Sequence, residues 1–397
     1  MRESFRLLAQ ILKENITAKQ LLNLIPDDEF ASIIKDTDVD YQVKKLYGRN
    51  LFYLLLYGLM ESNRVSLRSL EEVYKSKKFK FLFNLNQKQN VKFNSISARL
   101  SNINVEFFEK VYQLIYSEFS SLIPPEKGFT YKITRVDTTM VCEAANKIEE
   151  GMLLSNQYSK KKHIKYTISL TELLPSSVEI FTQQMALSED ETIPVVVLKN
   201  IDKKNDNVFV FDRGVQRRDN FCKMDDGGFN FITRITRHSR YEILREYHVP
   251  KGLKIGNLNV LSDQKVHLFR ERKKFGNVFR LIIALNEKQE PLLFLTNLFD
   301  LPIEEIINTY KRRWDIEVFF RFIKQELNFK HFMSTNINGI KIILYMTLIL
   351  SMLILIFKKL NDIGFKTATR RFYYQLDDMI LDMVVILSGG DPNLVFR

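Results

Sequence analysis

Apolar residues recur at helical spacing through Phe5-Leu7-Leu8-Ile11-Leu12 and again from Leu51 to Met60. Ser66 to Tyr74 and Ser95 to Leu100 predict shorter helices, and Asn104 before an apolar stripe from Val105 to Leu122 predicts a capped one. Two short helices before a longer one are compatible with a helix-turn-helix. Between Lys75 and Lys92 lie six lysines and no acidic residue. Phe79, Phe81 and Phe83 alternate there, which predicts a half-buried strand with a solvated face, or alternatively a phosphate-contacting hairpin.

Pro124-Pro125 interrupts the helical pattern, and the period then shortens to two. Tyr131 to Val136, Ile164 to Leu170, Val178 to Thr182, Pro194 to Leu198, Val208 to Phe211 and Phe229 to Ile235 all predict strands. Helical patterns lie between some of them, so the region reads as an α/β domain. Residues 238–299 carry hairpin-like runs, Val278 to Leu285 and Pro291 to Asn297, with 11 Lys/Arg against 6 Asp/Glu. They read as a basic, β-rich insertion. From Pro302 one long helix is expected to about Leu327, and the remainder is helical.

Composition narrows the possible functions. A chain of 397 residues with 45% hydrophobic and 27% charged residues can build two or three domains and is not a disordered polyelectrolyte. The net charge of +12 favours nucleic acid or an anionic membrane as partner, although the abundance of Lys, Ile, Asn and Phe also fits AT-rich coding sequence. Cys142 and Cys222 are the only cysteines, which excludes a disulfide framework and a CxxC zinc site, and a reducing cytoplasm is the expected compartment. The first sixteen residues, MRESFRLLAQILKENI, lack the apolar run of a signal peptide. Ile342 to Phe357 is sixteen residues without a charge. A spanning helix needs about 20, so this segment predicts a buried core helix; membrane anchoring is the competing reading.

Two acids follow predicted strands: Asp137 in VDTT and Asp212 in FDRG. An acid at the carboxyl end of a strand faces the crevice where α/β sheets bind ligands, although Asp in such a turn is also a common structural device. The predicted long helix is more specific. Tyr310, Arg313, Glu317 and Lys324 fall within about 60° of one another at ~100° per residue, with Arg321 near the same face. Arg313–Glu317 alone would be an ordinary i,i+4 pair, but the phenol and second cation on that line ask for more. Trp314, the only tryptophan, points off this face and is expected in the core. His163, His238, His248, His267 and His331 show no ligand spacing.

The Y-x2-R-x3-E-x6-K pattern of Tyr310, Arg313, Glu317 and Lys324, together with VDTT and DRG, resembles the signature of bacterial insertion-sequence transposases of the cut-and-paste DDE class. The resemblance implies an α/β fold: an RNase H-like catalytic core with a β-rich insertion, preceded by an all-helical DNA-binding region and followed by C-terminal helices. The expected divisions are 1–127 for the DNA-binding region, 128–237 and 300–360 for the core, 238–299 for the insertion and 361–397 for the C-terminal helices. It also implies that Asp137, Asp212 and Glu317 hold two Mg²⁺ ions, with Mn²⁺ as a substitute. Asp137 would bridge them, and Tyr310, Arg313 and Lys324, with Arg321 nearby, would grip the DNA backbone. The implied partners are double-stranded transposon-end and target DNA, bound by a synaptic homodimer in the cytoplasm with no membrane. A catalytically silent DNA-binding protein of transposase origin is the alternative. Relatives that cut through a hairpin often place a Trp in the insertion. Residues 238–299 have none, leaving Tyr241, Tyr247, Phe269, Phe275 and Phe279 as aromatic substitutes.

Overall fold

The computed structural model describes residues 17–394 apart from 23–24, 62–64, 124, 145, 155–160, 202–204, 271–272, 328, 330–332 and 392–393. The expected helix at residues 5–12, Pro124 and His331 therefore lie outside the described residues.

The helical region comprises α1 (Ala18–Leu22), α2 (Asp27–Asp36), α3 (Gly48–Glu61), α4 (Leu67–Lys75), α5 (Lys77–Leu82), α6 (Phe93–Asn102) and α7 (Val105–Ser120). Ser66 starts α4 with a reciprocal cap, accepting from the Ser69 N–H while its own N–H donates to Ser69 Oγ. Asn104 starts α7 by accepting from the Glu106 N–H at 3.0 Å. The strand expected around Phe79–Phe83 is instead α5. Ser76 Oγ accepts from the Phe79 N–H, and Phe79 and Phe83, one turn apart, meet at 5.0 Å between ring centroids. Buried Lys80 donates to the Gln87 carbonyl and to Asn90 Oδ1. An apolar pair spaced i,i+4 serves a helix as well as a strand, and here the cap and the Lys80 anchor decide.

The α/β core follows: β1 (Lys132–Ala144), β2 (Lys161–Thr171), β3 (Leu174–Phe181), α8 (Ile193–Lys199), β4 (Asn207–Val210), α9 (Arg218–Asp226) and β5 (Phe231–Ile235). The insertion supplies β6 (Tyr241–Tyr247), β7 (Lys254–Ile255), β8 (Leu258–Arg270), β9 (Lys273–Leu285) and β10 (Pro291–Thr296). All ten strands form one sheet in the order β3-β2-β1-β4-β5-β10-β9-β8-β6, with β7 paired to β8. β1, β4 and β5 run parallel; β2, β3 and the insertion strands pair antiparallel. The insertion thus prolongs the core sheet. Pro194 to Leu198, expected as a strand, is the helix α8, with Pro194 in its first turn and Ile193, Val196 and Val197 buried beside Val136 and Phe209. Burial of Ile193, Val196 and Val197 against the sheet overrides the β-branched propensity of the run.

The expected long helix from Pro302 is two helices, α10 (Ile303–Lys311) and α11 (Trp314–Glu326). The N–H groups of Arg312, Arg313 and Asp315 donate to carbonyls three residues back, so the junction tightens into a 3₁₀ turn. α12 (Ile337–Leu360) and α13 (Phe365–Leu387) complete the chain. α12 contains the charge-free run as a core helix. It is long and apolar enough to cross a membrane, yet 83% of its most apolar window is buried inside the protein. One continuous apolar cluster joins α12 and α11 to the N-terminal helices and to β1 and β2. Two smaller clusters fill the sheet beside α8–α9 and beneath α10.

Candidate active site

The site forms where β4 stops and β1 continues. β1 pairs with β4 only from Lys132 to Arg135 but stays paired to β2 as far as Ala144. Asp137 therefore lies inside a long strand, not just beyond a short one, on an edge that β4 has released. Asp212 follows β4 by two residues and faces the same gap. Its Oδ1 accepts from its neighbour's Arg213 N–H at 2.7 Å and from the Tyr310 hydroxyl at 3.4 Å, with Arg234 at 3.7 Å. Glu317, in the first turn of α11, is held by Arg313 at 2.7 Å.

Arg313 joins the three acids electrostatically. It pairs with Glu317, and its charge acts on both Asp137 and Asp212. The Asp137 carboxyl is pushed up to about 6, mainly by burial and further by the neighbouring Glu189 and Asp212 carboxylates. The Thr138 N–H at 2.7 Å and Arg313 oppose the rise. Burial likewise raises the pKa of the Tyr310 phenol, whose ring lies 5.3 Å from the Arg234 guanidinium. Among the described residues, no three His, Cys, Asp or Glu side chains stand close enough to hold a metal ion together. The donor chemistry nonetheless suits a hard divalent cation: carboxylate oxygens, one of them held above its ordinary pKa beside other acids.

Tyr310 is buried and Arg313 nearly so, both turned toward Asp212. Lys324 lies further along α11, half-buried with its ammonium 6.0 Å from the Phe320 ring centroid, and Arg321 is exposed. Trp314 is 53% exposed, contrary to the expected core position. The 3₁₀ turn just before it changes the phase of α11 and turns the indole outward. With Arg234, Phe294, Tyr310, Lys311 and Arg313 it lines a cavity of about 450 Å³ beside Asp212. Phe275 and Phe279 in the insertion are core residues.

Sequence reasoning missed Glu189, in a 3₁₀ turn before α8. Burial raises the pKa of its carboxyl, and it lies within electrostatic reach of Lys165, Asp212 and Arg313. The adjacent Asp190 accepts from the N–H groups of Gln216 and Arg217, both at 2.8 Å, and so anchors the loop after Asp212. The only sequence signal was the run Glu189-Asp190-Glu191 ahead of a helix. Glu189 explains the glycine of DRG: a Cβ on Gly214 would fall 1.4 Å from Glu189 Oε2. Gly214→Ala is expected to cost about 1–2 kcal/mol in urea denaturation, as overpacking does. In a Glu189→Ala background the cost should fall below about 0.5 kcal/mol; equal costs in the two backgrounds would show that Glu189 does not impose the glycine.

Comparison with known proteins places the chain among transposases in sequence and fold. The chain is 23% identical over 254 residues to the probable transposase for insertion sequence element IS5377 of Geobacillus stearothermophilus, covering 62% of each. It is 26% identical over 156 residues to the transposase-named protein y4zB of Sinorhizobium fredii, covering 39% of this chain and 44% of the relative. The chain thus spans less than two thirds of the length of either. In fold it is similar to the piggyBac transposase in a synaptic complex with hairpin DNA, with a TM-score of 0.51 and 10% identity over 92% of this chain and 81% of that one. Residues 145–353, more than half of the chain and including Asp212 and Glu317, match the Transposase DDE domain family, and the chain belongs to that family.

Proposed function

We propose that this protein is a DNA transposase that binds inverted-repeat transposon ends and catalyses metal-dependent strand cleavage and strand transfer. One observation carries the reading: Asp137 and Asp212, 75 residues apart in sequence, lie within electrostatic reach of each other and of Arg313, the arginine that holds Glu317. In this reading Asp137, Asp212 and Glu317 hold the divalent ions, Mg²⁺ or Mn²⁺. A bound ion pair would supply an activated attacking oxygen and neutralise charge on the phosphate.

The chain's own residues do the rest. Arg313 offers a planar fork suited to a phosphate, and Lys324 and Arg321 offer charges along the same helix. Arg313 exchanges its partner Glu317 for the DNA backbone, which frees Glu317 for metal. Tyr310, donating to Asp212, orients that carboxylate until DNA enters. The helical region up to residue 127 binds the repeat, and two copies assemble across the paired ends. DNA binding without catalysis is the second reading, and the Arg313–Glu317 pair, which occupies Glu317, favours it.

Duplex DNA carrying the flanks of the coding region separates the two. Nicking at a repeat end in Mg²⁺ or Mn²⁺, abolished by EDTA, is the expected result. Tight binding of the same duplex with no nicking in either metal would overturn the catalytic reading.

A further inference from the structure

Arg135 lies two residues before Asp137 on β1, so both side chains leave the same face of the strand. Its side chain is 0% exposed. Nε donates to the Arg312 carbonyl at 3.1 Å. Nη1 donates to the carbonyls of Ile133 and Glu172 at 3.0 and 2.9 Å. Nη2 engages Glu126 and, at 3.0 Å, Asp315 Oδ2. Arg312 closes the network, with Nε 2.7 Å from Glu126 Oε2 and Nη2 3.1 Å from Asp315 Oδ2.

A buried guanidinium is tolerated only when paired and fully hydrogen-bonded. Here much of that bonding converges on the 3₁₀ turn between α10 and α11. The Arg312 carbonyl lies at the C-terminal end of α10, and Asp315 is in the first turn of α11. One side chain therefore grips the end of the helix that carries Tyr310 and the start of the helix that carries Glu317. Lysine could not replace it, because its single nitrogen cannot serve five acceptors set in a plane.

We infer that Arg135 is a positioning residue for strand cleavage. It fixes the α10–α11 turn so that Arg313 and Glu317 face Asp137. The inference rests on the transposase reading proposed above, and its test uses one readout that needs no activity. Trp314, the only tryptophan, stands two residues past Arg312, so its fluorescence anisotropy reports on the turn. The variants are Arg135→Lys and Asp315→Asn, with Leu355→Ala in α12 as a destabilised control.

Both network variants should lower Trp314 anisotropy and raise the Mn²⁺ concentration for half-maximal nicking by about 10-fold or more, the scale of losses around metal ligands. Leu355→Ala should lower Tm yet leave anisotropy and Mn²⁺ midpoint in place, as a purely structural role for Arg135 also would. Should Arg135→Lys fail to fold, Asp315→Asn, whose side chain is 30% exposed, decides alone. Unchanged anisotropy with an unchanged Mn²⁺ midpoint overturns the inference. An unsubstituted protein that never nicks counts against the nuclease reading instead, and the anisotropy comparison then decides whether Arg135 holds the turn.

Discussion

Asp137→Asn is expected to abolish strand cleavage while making the metal-free protein more stable. Metal-borne stabilisation of a phosphoryl transition state amounts to several kcal/mol, and 1.36 kcal/mol is a factor of ten in rate. Losing one of the carboxylates proposed to hold the divalent ions should therefore slow nicking by about 10³-fold or more. The stability gain follows from the position of the carboxyl, pushed up to about 6 by burial and by the Glu189 and Asp212 carboxylates. A carboxyl whose folded pKa lies above its unfolded one favours folding most where it is protonated in both states, below about pH 4. That contribution is lost as pH rises through 6. Asparagine does not titrate and suffers no such loss. In EDTA at pH 7.5 the variant should exceed the unsubstituted protein by about 1–3 kcal/mol, the scale of a two-unit shift. At pH 4 the difference should vanish. Urea denaturation at the two pH values reads the stability, and nicking in Mn²⁺ reads the activity. A variant that still cuts, or that is less stable at pH 7.5, would remove Asp137 from the role assigned to it.

What was legible in the sequence was what depends on nearby residues. The turn after β4 places Asp212 just beyond a strand end, and the Arg313–Glu317 spacing gives the pair seen at 2.7 Å, whereas Asp137, expected at a strand end, lies inside β1 because pairing with β2 carries that strand on to Ala144. The helix break was not legible, because what holds it comes from Arg135, some 180 residues earlier in the chain. The outward turn of Trp314 depends on that break, so its expected core position failed for the same reason. Glu189 was invisible on its own, since its importance lies in meeting Gly214 across the crevice. α8 misled through Val195, Val196 and Val197; the strand preference of this run is weaker than the burial of Val196 and Val197 against the sheet. Each failure is a distant contact overriding a local preference.

The same logic applies to a buried bidentate ion pair in the insertion. Arg280 on β9, with its side chain 7% exposed, meets Asp263 on β8 through Nε at 2.9 Å and Nη2 at 2.7 Å. Its Nη1 donates to the carbonyls of Leu298, Phe299 and Leu301. Those residues form the turn that leads into α10, so the pair ties the insertion strands to the helix that carries Tyr310. Asp263→Ala leaves a buried cation with carbonyls alone and should cost about 3–5 kcal/mol. Replacing both partners with apolar residues often restores stability when an ion pair stands by itself. Here it should not, because Asp263→Leu with Arg280→Met still strips the donor from three carbonyls, at roughly 1–3 kcal/mol for each group left unsatisfied. Urea denaturation of the single and double variants checks this. A double variant as stable as the unsubstituted protein would mean that water reaches those carbonyls, and that the turn into α10 is held by something other than Arg280.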